Sequence, residues 1–355
     1  MTSTDAAATT VAPGIAGDRG LPPAVPEESW RRAVAAIAGA KRLLLVCHVN
    51  PDGDALGSML GCALGLRKLG YEVQAAFPGP QQLPDMFTET LPGTELLVPP
   101  ERTHPDPDVL LTFDAASAER VGEFEGRMAG ADHVVVLDHH ASNPGFGTIN
   151  LVDPSAAATA MVVDELLRRL GVPLDTAIAG CLYVAVATDT GSFKYQATTP
   201  EVHAFAARLL GAGVDQYEIS RRLFDNRPFG AVQIFGEALR RIQLEPSVAD
   251  GAGFVWTYAT LEDLSRYDQP AYVLESLIDL VRSAEEADVA CVCKQVGPTE
   301  WAVSLRSRGA VDVAAAATSL GGGGHRYAAG FTGYGDLASV VDSIRSALSD
   351  HPSGS

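Results

Sequence analysis

The sequence has few cysteines, and their positions exclude a cysteine framework. The 355 residues include five cysteines, and no two of them form a CxxC pair. Disulfide-stabilised and cysteine-ligated zinc proteins are therefore not expected. The five, which all lie in apolar stretches, are Cys47, Cys62, Cys181, Cys291 and Cys293. We expect them to be reduced core residues of a cytoplasmic protein.

Basic residues are also scarce. The chain has 26 lysines and arginines against 44 aspartates and glutamates, which gives a formal net charge of −18. Binding to long nucleic acid depends on basic side chains that neutralise phosphates. This balance argues against a protein that coats long nucleic acid. It does not exclude a small anionic ligand held at a locally positive site.

Long apolar runs are absent as well. The longest, around residues 177–187, is shorter than the ~20 residues needed to span a bilayer. Residues 1–26 are rich in alanine, threonine, proline and glycine and lack the basic and apolar regions of a signal peptide. We expect a disordered tail there, and a cytoplasmic protein that does not bind membranes.

The rest of the chain predicts an α/β fold, because apolar strand patterns alternate with helical ones as in βαβ units. The predicted strands are Leu43–Val49, Glu72–Phe77, Val109–Phe113 and His133–Leu137, and the predicted helices are Ala55–Leu69, Ser117–Ala129 and Ala156–Leu170. In the first helix, Gly57, Gly61 and Gly65 recur every four residues. This spacing predicts a small-residue face that lets the helix lie close to the sheet.

The pattern changes near residue 226, which predicts two domains. Residues 27–225 are predicted to form a parallel-sheet domain with flanking helices, and residues 226–250 a linker that contains a helix. Residues 251–350 are predicted to form a smaller α/β domain with strands at Phe254–Tyr258, Val289–Val296 and Ala302–Arg306.

Histidine and aspartate side chains follow four apolar segments: three predicted strands and the run at 177–187, which is predicted to be helical. They are His48, Asp52, Asp54, Asp114, Asp138, His139, His140 and Asp189. Open parallel sheets bind ligands at the carboxyl ends of their strands. Five carboxylates in one cleft require cations. Carboxylate and imidazole ligands without thiolate favour Mn²⁺, with Mg²⁺ or Co²⁺ as alternatives, and so many ligands predict two ions.

A glycine-rich segment, Gly321–Gly330, reads GGGGHRYAAG. Alone it is typical of a flexible turn. Glycines also let backbone N–H groups converge on an anion, and His325 and Arg326 add side-chain donors for a phosphate. Because Arg306 and Arg308 precede it, we favour an anion site.

These motifs together resemble the DHH phosphoesterase superfamily. They are HVNPDGDALGS (His48–Ser58), Asp114, DHHASN (Asp138–Asn143), ATDTGSF (Ala187–Phe193) and GGGGHRYAAG, the last of which is similar to the DHH-associated C-terminal domain. The resemblance extends from about Trp30 to Leu348. Size and second domain look most similar to the bacterial oligoribonuclease and 3′-phosphoadenosine 5′-phosphate phosphatase group of the nanoRNase type.

The resemblance implies a set of site residues in an interdomain cleft. One metal ion would be held by His48, Asp52 and Asp114, and a second by Asp54, Asp114, His139 and Asp189. Asp138 would orient a histidine and His140 would face the substrate, so these two are the expected catalytic residues. The expected substrate-binding residues, in the second domain, are Arg306, Arg308, Gly322, Gly323, Gly324, His325 and Arg326.

The resemblance also implies a reaction. Short oligoribonucleotides and dinucleotides would be hydrolysed to 5′-mononucleotides, and 3′-phosphoadenosine 5′-phosphate to AMP, by water that two metal ions activate. A cyclic di-AMP phosphodiesterase would use the same metal site with a different pocket. A non-catalytic nucleotide sensor is disfavoured because every ligand position is filled. The helix-rich stretch after Ala156 offers a face for a homodimer.

Overall fold

The computed structural model describes residues 25–79 and 83–350. The predicted tail at 1–26 therefore lies almost wholly outside the described residues. Two β-sheets organise the rest, and the α/β class predicted from the sequence is confirmed. The boundaries predicted for the two domains and the linker stay a proposal.

The first sheet is parallel and has five strands in the order β2-β1-β3-β4-β5. They are β1 (Arg42–Cys47), β2 (Glu72–Ala76), β3 (Val109–Phe113), β4 (His133–Asp138) and β5 (Ile149–Val152). Strand β3 is buried at every residue, as expected of a sheet covered on both faces. The four predicted strands are confirmed, with β1 ending at Cys47. The four-residue edge strand β5 was not predicted.

Several helices accompany this sheet. They are α1 (Glu27–Gly39), α2 (Gly53–Lys68), α3 (Asp85–Thr88), α4 (Thr159–Arg169), α5 (Thr176–Asp189), α6 (Pro200–Gly211) and α7 (Gln216–Ser220). The helix predicted at Ser117–Ala129 is wrong. That segment forms 3₁₀ turns over Ala118–Gly130, broken at Gly122, whose φ of 54° is not helical. A side chain at Gly122 would come within 2.8 Å of Pro78.

The glycine face of α2 points to other helices, and the prediction that it lies on the sheet is wrong. A Cβ at Gly57 would lie 2.4 Å from the carbonyl oxygen of Cys181 in α5. At Gly65 it would lie 2.6 Å from Leu167 in α4. Because α2 is covered by these helices as well as the sheet, it is buried along nearly its whole length. The glycines thus set the distance between α2 and α5.

The second sheet has six strands in the order β10-β11-β9-β8-β7-β6, and within it only β7 and β8 are parallel. They are β6 (Gln243–Glu245), β7 (Phe254–Ala259), β8 (Val289–Gly297), β9 (Glu300–Ser307), β10 (Gly323–His325) and β11 (Ala328–Tyr334). The accompanying helices are α8 (Phe229–Arg240), α9 (Leu261–Arg266), α10 (Leu277–Val281), α11 (Val313–Ser319) and α12 (Leu337–Asp350).

The glycine-rich segment is an ordered hairpin and not a free turn, since β10 and β11 pair in antiparallel register. A Cβ at Gly322 would lie 2.1 Å from the carbonyl oxygen of Gly330. At Gly324, where φ is 142°, it would lie 2.5 Å from the carbonyl oxygen of Ala328. Glycine at these positions therefore lets two backbones approach closely.

All five cysteines are buried and free, so their prediction as core residues is confirmed. In the part of the chain that the structure describes, none of the helices has the length and apolarity needed to cross a bilayer. The cytoplasmic location stays a prediction.

The close approach of α2 and α5 makes a stability prediction. Gly57→Ala should lower the free energy of unfolding by about 1–3 kcal/mol, because the new methyl group meets a backbone carbonyl that cannot move aside. Gly236→Ala is the matched control: this helical glycine is exposed, and a Cβ added there would have nothing within 4 Å. It should be neutral or stabilising by up to about 1 kcal/mol. Equal effects in urea unfolding would contradict the packing described here.

Candidate active site and metal centre

The predicted metal ligands gather at one edge of the first sheet. His48 follows β1, Asp114 follows β3, and His139 follows β4. These three strands are neighbours in the sheet, so their carboxyl ends lie side by side. Asp54 lies in the first turn of α2, and Asp189 is the last residue of α5. Asp189 thus comes from a helix end, where the close packing of α2 and α5 continues: a Cβ at Gly53 would lie 2.5 Å from the Thr188 side chain.

His48 centres the first cluster. Its Nδ1 lies 2.8 Å from the Val49 carbonyl oxygen, and since a carbonyl only accepts, Nδ1 carries the proton. Its Nε2 lies 3.5 Å from Asp114 Oδ2 and 3.8 Å from Asp52 Oδ1. The other ring nitrogen, Nε2, therefore faces two carboxylates.

His139 repeats this arrangement. Its Nδ1 lies 3.1 Å from the Ala156 carbonyl oxygen, and its Nε2 lies 3.1 Å from Asp189 Oδ2. The same Nε2 lies 3.5 Å from Asp114 Oδ1 and 3.8 Å from Asp54 Oδ2. It is buried and has no partner of hydrogen-bond geometry among the described residues. Asp114 lies between the two clusters, with one oxygen toward each histidine.

This geometry fits divalent cations. A ring nitrogen that faces carboxylates is stable only when a positive charge lies between them, either a proton on that nitrogen or a metal ion. Histidines that ligate metals commonly donate their other ring N–H to a carbonyl or carboxylate, as both histidines do here. In each of the sets His48–Asp52–Asp114 and Asp54–His139–Asp189, the candidate ligand atoms lie within 4.8 Å of one another. The structure thus brings together all six residues that were predicted as metal ligands.

Asp54 is stabilised by hydrogen bonds, but it is also repelled by the neighbouring carboxylates. Burial raises the pKa of Asp54 well above its usual range, and the charges of Asp114 and Asp189 raise it further. Ser58 Oγ and the backbone N–H groups of Thr159 and Ala160 donate to Asp54 at 2.8, 2.6 and 3.2 Å. The last two open α4, whose positive end favours an anion.

Histidine charge balances part of this acidity. Burial would raise the pKa of Asp114, but a hydrogen bond with His48 and the charges of His139 and His140 hold it below its usual range. Burial would lower the pKa of His48, yet hydrogen bonds with Asp114 and Asp52 raise it to about 10. The pocket therefore attracts positive charge, as protons or as metal ions.

Asp138 and His140 form a separate pair beside the ligands. His140 Nδ1 lies 2.7 Å from Asp138 Oδ1. Asp138 is fully buried, and its other oxygen accepts a hydrogen bond of 2.6 Å from Asn143 Nδ2. Asn143 in turn donates to the Ala115 carbonyl. This chain of contacts fixes the His140 ring, which matches the orienting role expected of Asp138.

The second sheet reaches the site through His325. Its ring stacks on His140 at a centroid distance of 4.2 Å and an angle of 15°, and its centroid lies 5.0 Å from His139. Burial lowers the pKa of His325 to about 4, and the charges of His140 and His139 contribute to the lowering. A neutral imidazole from the second sheet thus packs directly against His139 and His140.

The other predicted substrate-binding residues make contacts outside the ligand clusters. Arg306 donates to the Leu305 carbonyl, Arg308 donates to the Ala284 carbonyl, and Arg326 lies over the Tyr327 ring. Within the described ranges, no hydrogen bond or ion pair joins them to the candidate metal ligands. Gly322, Gly323 and Gly324 lead into His325 along β10.

Tyr195, which lies shortly after Asp189, forms a second contact between the two domains. Gly191, Ser192 and Phe193 all have positive φ, and this turn folds the Tyr195 ring back over Gly191. The Tyr195 hydroxyl donates to Asp279 at 2.9 Å, and Arg282 lies 4.4 Å from the ring centroid. Tyr195 therefore contacts the second domain.

Sequence reasoning missed several residues that touch the ligands. Thr159 Oγ1 donates to Asp114 at 3.1 Å, and its backbone holds Asp54. Arg120 Nη2 lies 3.2 Å from His48 Nδ1. No local pattern distinguishes either residue. The one available signal was that Arg120 follows Asp114 by six residues and therefore lies near the same edge of the sheet.

Comparison with known proteins places this site in a family. The model of the DHH family, N-terminal domain, matches residues 42–186, and the DHHA1 domain matches residues 257–350. The bifunctional oligoribonuclease and PAP phosphatase NrnA of Thermus thermophilus is 35% identical over 309 residues, which cover 86% of this chain and 89% of that protein. The chain belongs to the DHH family. It is a phosphoesterase of that family, and its histidine and carboxylate clusters are suited to the metal on which the family depends.

Two further relatives extend the comparison. The cyclic-di-AMP phosphodiesterase GdpP of Geobacillus thermodenitrificans is 25% identical over 303 residues, which cover 81% of this DHH chain but 44% of that protein. The crystal structure of an exopolyphosphatase-related protein from Bacteroides fragilis superposes with a TM-score of 0.82 at 23% identity, over 93% of this chain and 98% of that chain. The latter likeness shows that the fold is shared.

The shared position of Asp114 makes a prediction about metal binding. Asp114→Asn should reduce Mn²⁺ affinity at least about 100-fold and abolish hydrolysis, because both clusters lose a charged ligand. Asparagine tolerates the φ of 57° at this position, so the protein should stay folded. Isothermal titration with Mn²⁺ measures the affinity, and circular dichroism checks the fold.

Asp342→Asn on the exposed face of α12 is the control for charge removal and should bind Mn²⁺ like the wild type. Retained Mn²⁺-dependent turnover by Asp114→Asn would refute the role of Asp114 in both clusters.

Proposed function

We propose that the protein is a Mn²⁺-dependent phosphodiesterase and phosphatase that hydrolyses short oligoribonucleotides and dinucleotides to 5′-mononucleotides. By the same chemistry it would convert 3′-phosphoadenosine 5′-phosphate to AMP. The observation that carries this proposal is the pair of imidazole–carboxylate clusters with Asp114 between them. The ring of His325, from the second domain, stacks on His140 beside these clusters. The 35% identity to an oligoribonuclease and PAP phosphatase over most of both chains supports the substrate class.

The proposed ligand sets are those expected from the resemblance. His48, Asp52 and Asp114 would hold one ion, and Asp54, Asp114, His139 and Asp189 the other. When bound, such ions supply positive charge to the phosphoryl group and lower the pKa of bound water. Oxygen and imidazole ligands without thiolate support Mn²⁺, with Mg²⁺ or Co²⁺ as substitutes.

His140 and Asp138 are the proposed catalytic residues. Because His140 Nδ1 donates to Asp138, the ring is held in one orientation and its Nε2 is left for the substrate. In this orientation His140 can hydrogen-bond the phosphoryl group or deliver a proton to the leaving oxygen. Asn143 keeps Asp138 from turning away.

The second domain is proposed to bind the far end of the substrate. His325, the glycines of β10 and the arginines Arg306, Arg308 and Arg326 would supply the donors. The stack of His325 on His140 brings the second domain directly against the candidate catalytic histidine, which supports a substrate of a few nucleotides over a long strand.

A cyclic di-AMP phosphodiesterase is the second candidate, and the similarity to GdpP favours it. The same clusters would serve that reaction, since it also hydrolyses a phosphodiester. The sensor hypothesis is disfavoured because the six candidate ligands are all present and gathered.

A substrate panel tests the proposal. With Mn²⁺ present, kcat/KM should be highest for a diadenosine dinucleotide with a 5′-phosphate, measurable for 3′-phosphoadenosine 5′-phosphate, and at least about 100-fold lower for a 24-nucleotide RNA. Asp114→Asn is the background control, and release of 5′-AMP is measured by chromatography. A preference for cyclic di-AMP would favour the second candidate. An absence of turnover on every phosphoester would overturn the proposal.

A further inference from the structure

Arg120 is tied by its backbone to the loop that carries His48. The Val49 N–H donates to the Arg120 carbonyl at 2.9 Å, and the Arg120 N–H donates to the Ser117 carbonyl at 3.2 Å. The break in the 3₁₀ turns at Gly122 follows two residues later. The position of Arg120 is therefore fixed relative to the first ligand cluster, although the residue itself is exposed.

The Arg120 guanidinium lies against a ring nitrogen of His48 that already faces a backbone carbonyl. Its Nη2 lies 3.2 Å from His48 Nδ1, and that nitrogen is already directed at the Val49 carbonyl at 2.8 Å. When His48 Nε2 ligates a metal, Nδ1 carries the ring proton, and two donors then face each other. Arg120 N–H groups at this edge of the site are thus left for another acceptor.

No carboxylate of the described chain takes up this charge. Other arginines, such as Arg42, Arg169 and Arg241, pair with an aspartate or glutamate, but Arg120 forms no ion pair within 4.0 Å. Its contact with the His48 ring places the guanidinium beside the first ligand cluster. An arginine that lies beside such a cluster without joining it can offer its planar donor fork to a phosphate.

We propose that Arg120 is a substrate-binding residue whose guanidinium binds a non-bridging oxygen of the substrate phosphate. It acts from the first domain, while His325 acts from the second. This inference rests on the proposed function, which supplies a phosphoester as the ligand. The substrate phosphate would then be bound by Arg120 on one side and by His325 on the other. Its affinity would depend on the negative charge of its non-bridging oxygens.

An equilibrium experiment tests this with 5′-AMP, the proposed product, as the probe. Titration of 5′-AMP into the Mn²⁺-loaded full chain should show affinity lowered about 10–100-fold in Arg120→Gln, as expected for loss of a charge-assisted hydrogen bond. Arg120→Lys should fall between, because it keeps the charge and loses the fork. Arg31→Gln, on the exposed face of α1, should match the wild type.

Mn²⁺ affinity separates binding from a structural role. It should change less than about twofold in Arg120→Gln, because the group that orients the His48 ring is the Val49 carbonyl and not Arg120. If Mn²⁺ affinity falls by the same factor as 5′-AMP affinity, Arg120 acts by positioning His48 and the inference is wrong. Unchanged 5′-AMP affinity in both variants would also overturn it.

Kinetics on the dinucleotide distinguish this inference from the proposed function. If both hold, KM rises in Arg120→Gln in step with the loss of 5′-AMP affinity. If the wild type binds 5′-AMP through Arg120 but hydrolyses no phosphoester, the proposed function fails and the phosphate contact stands. If the wild type hydrolyses the dinucleotide and Arg120→Gln matches it in KM and 5′-AMP affinity, only the inference fails.

Discussion

The structure depends on one electrostatic constraint: buried carboxylates that lie close together need positive charge between them, as protons on the facing imidazoles or as metal ions. Asp54 and Asp114 are almost wholly buried, and the Nε2 atoms of His48 and His139 are directed at them. The start of α4 and the hydroxyl of Ser58 stabilise Asp54 through hydrogen bonds, and the charges of His139 and His140 balance part of the charge of Asp114. This concentration of negative charge favours divalent cations, which would in turn supply the positive charge that attracts a phosphoester.

The strand order and the helix packing hold these mutually repelling carboxylates close together. Strands β1, β3 and β4 are neighbours, so their carboxyl ends converge without long loops. Glycines let α2 lie against α5, which brings Asp54 and Asp189 to the same histidine. Asp114 adopts a positive φ, which turns its side chain between the clusters at a local cost that the surrounding packing offsets.

Much of this could be predicted from the sequence, because ligands that follow parallel strands must meet at one edge. The ligand positions and the two-sheet α/β class needed only strand patterns and the resemblance of motifs. Features set by tertiary packing were missed. The glycines of α2 show periodicity but not which neighbour they face, and Gly122 breaks a segment whose polarity pattern is helical. Arg120 and Thr159 acquire their roles only when distant segments come together, as does the contact of Tyr195 with Asp279.

Anomalous diffraction at the manganese edge tests most directly the proposal that two cations occupy the site. Crystals of the full chain grown with Mn²⁺ should show two anomalous peaks, one among His48, Asp52 and Asp114 and one among Asp54, His139 and Asp189. Asp114 should contact both. A single peak, or peaks away from these residues, would contradict the account.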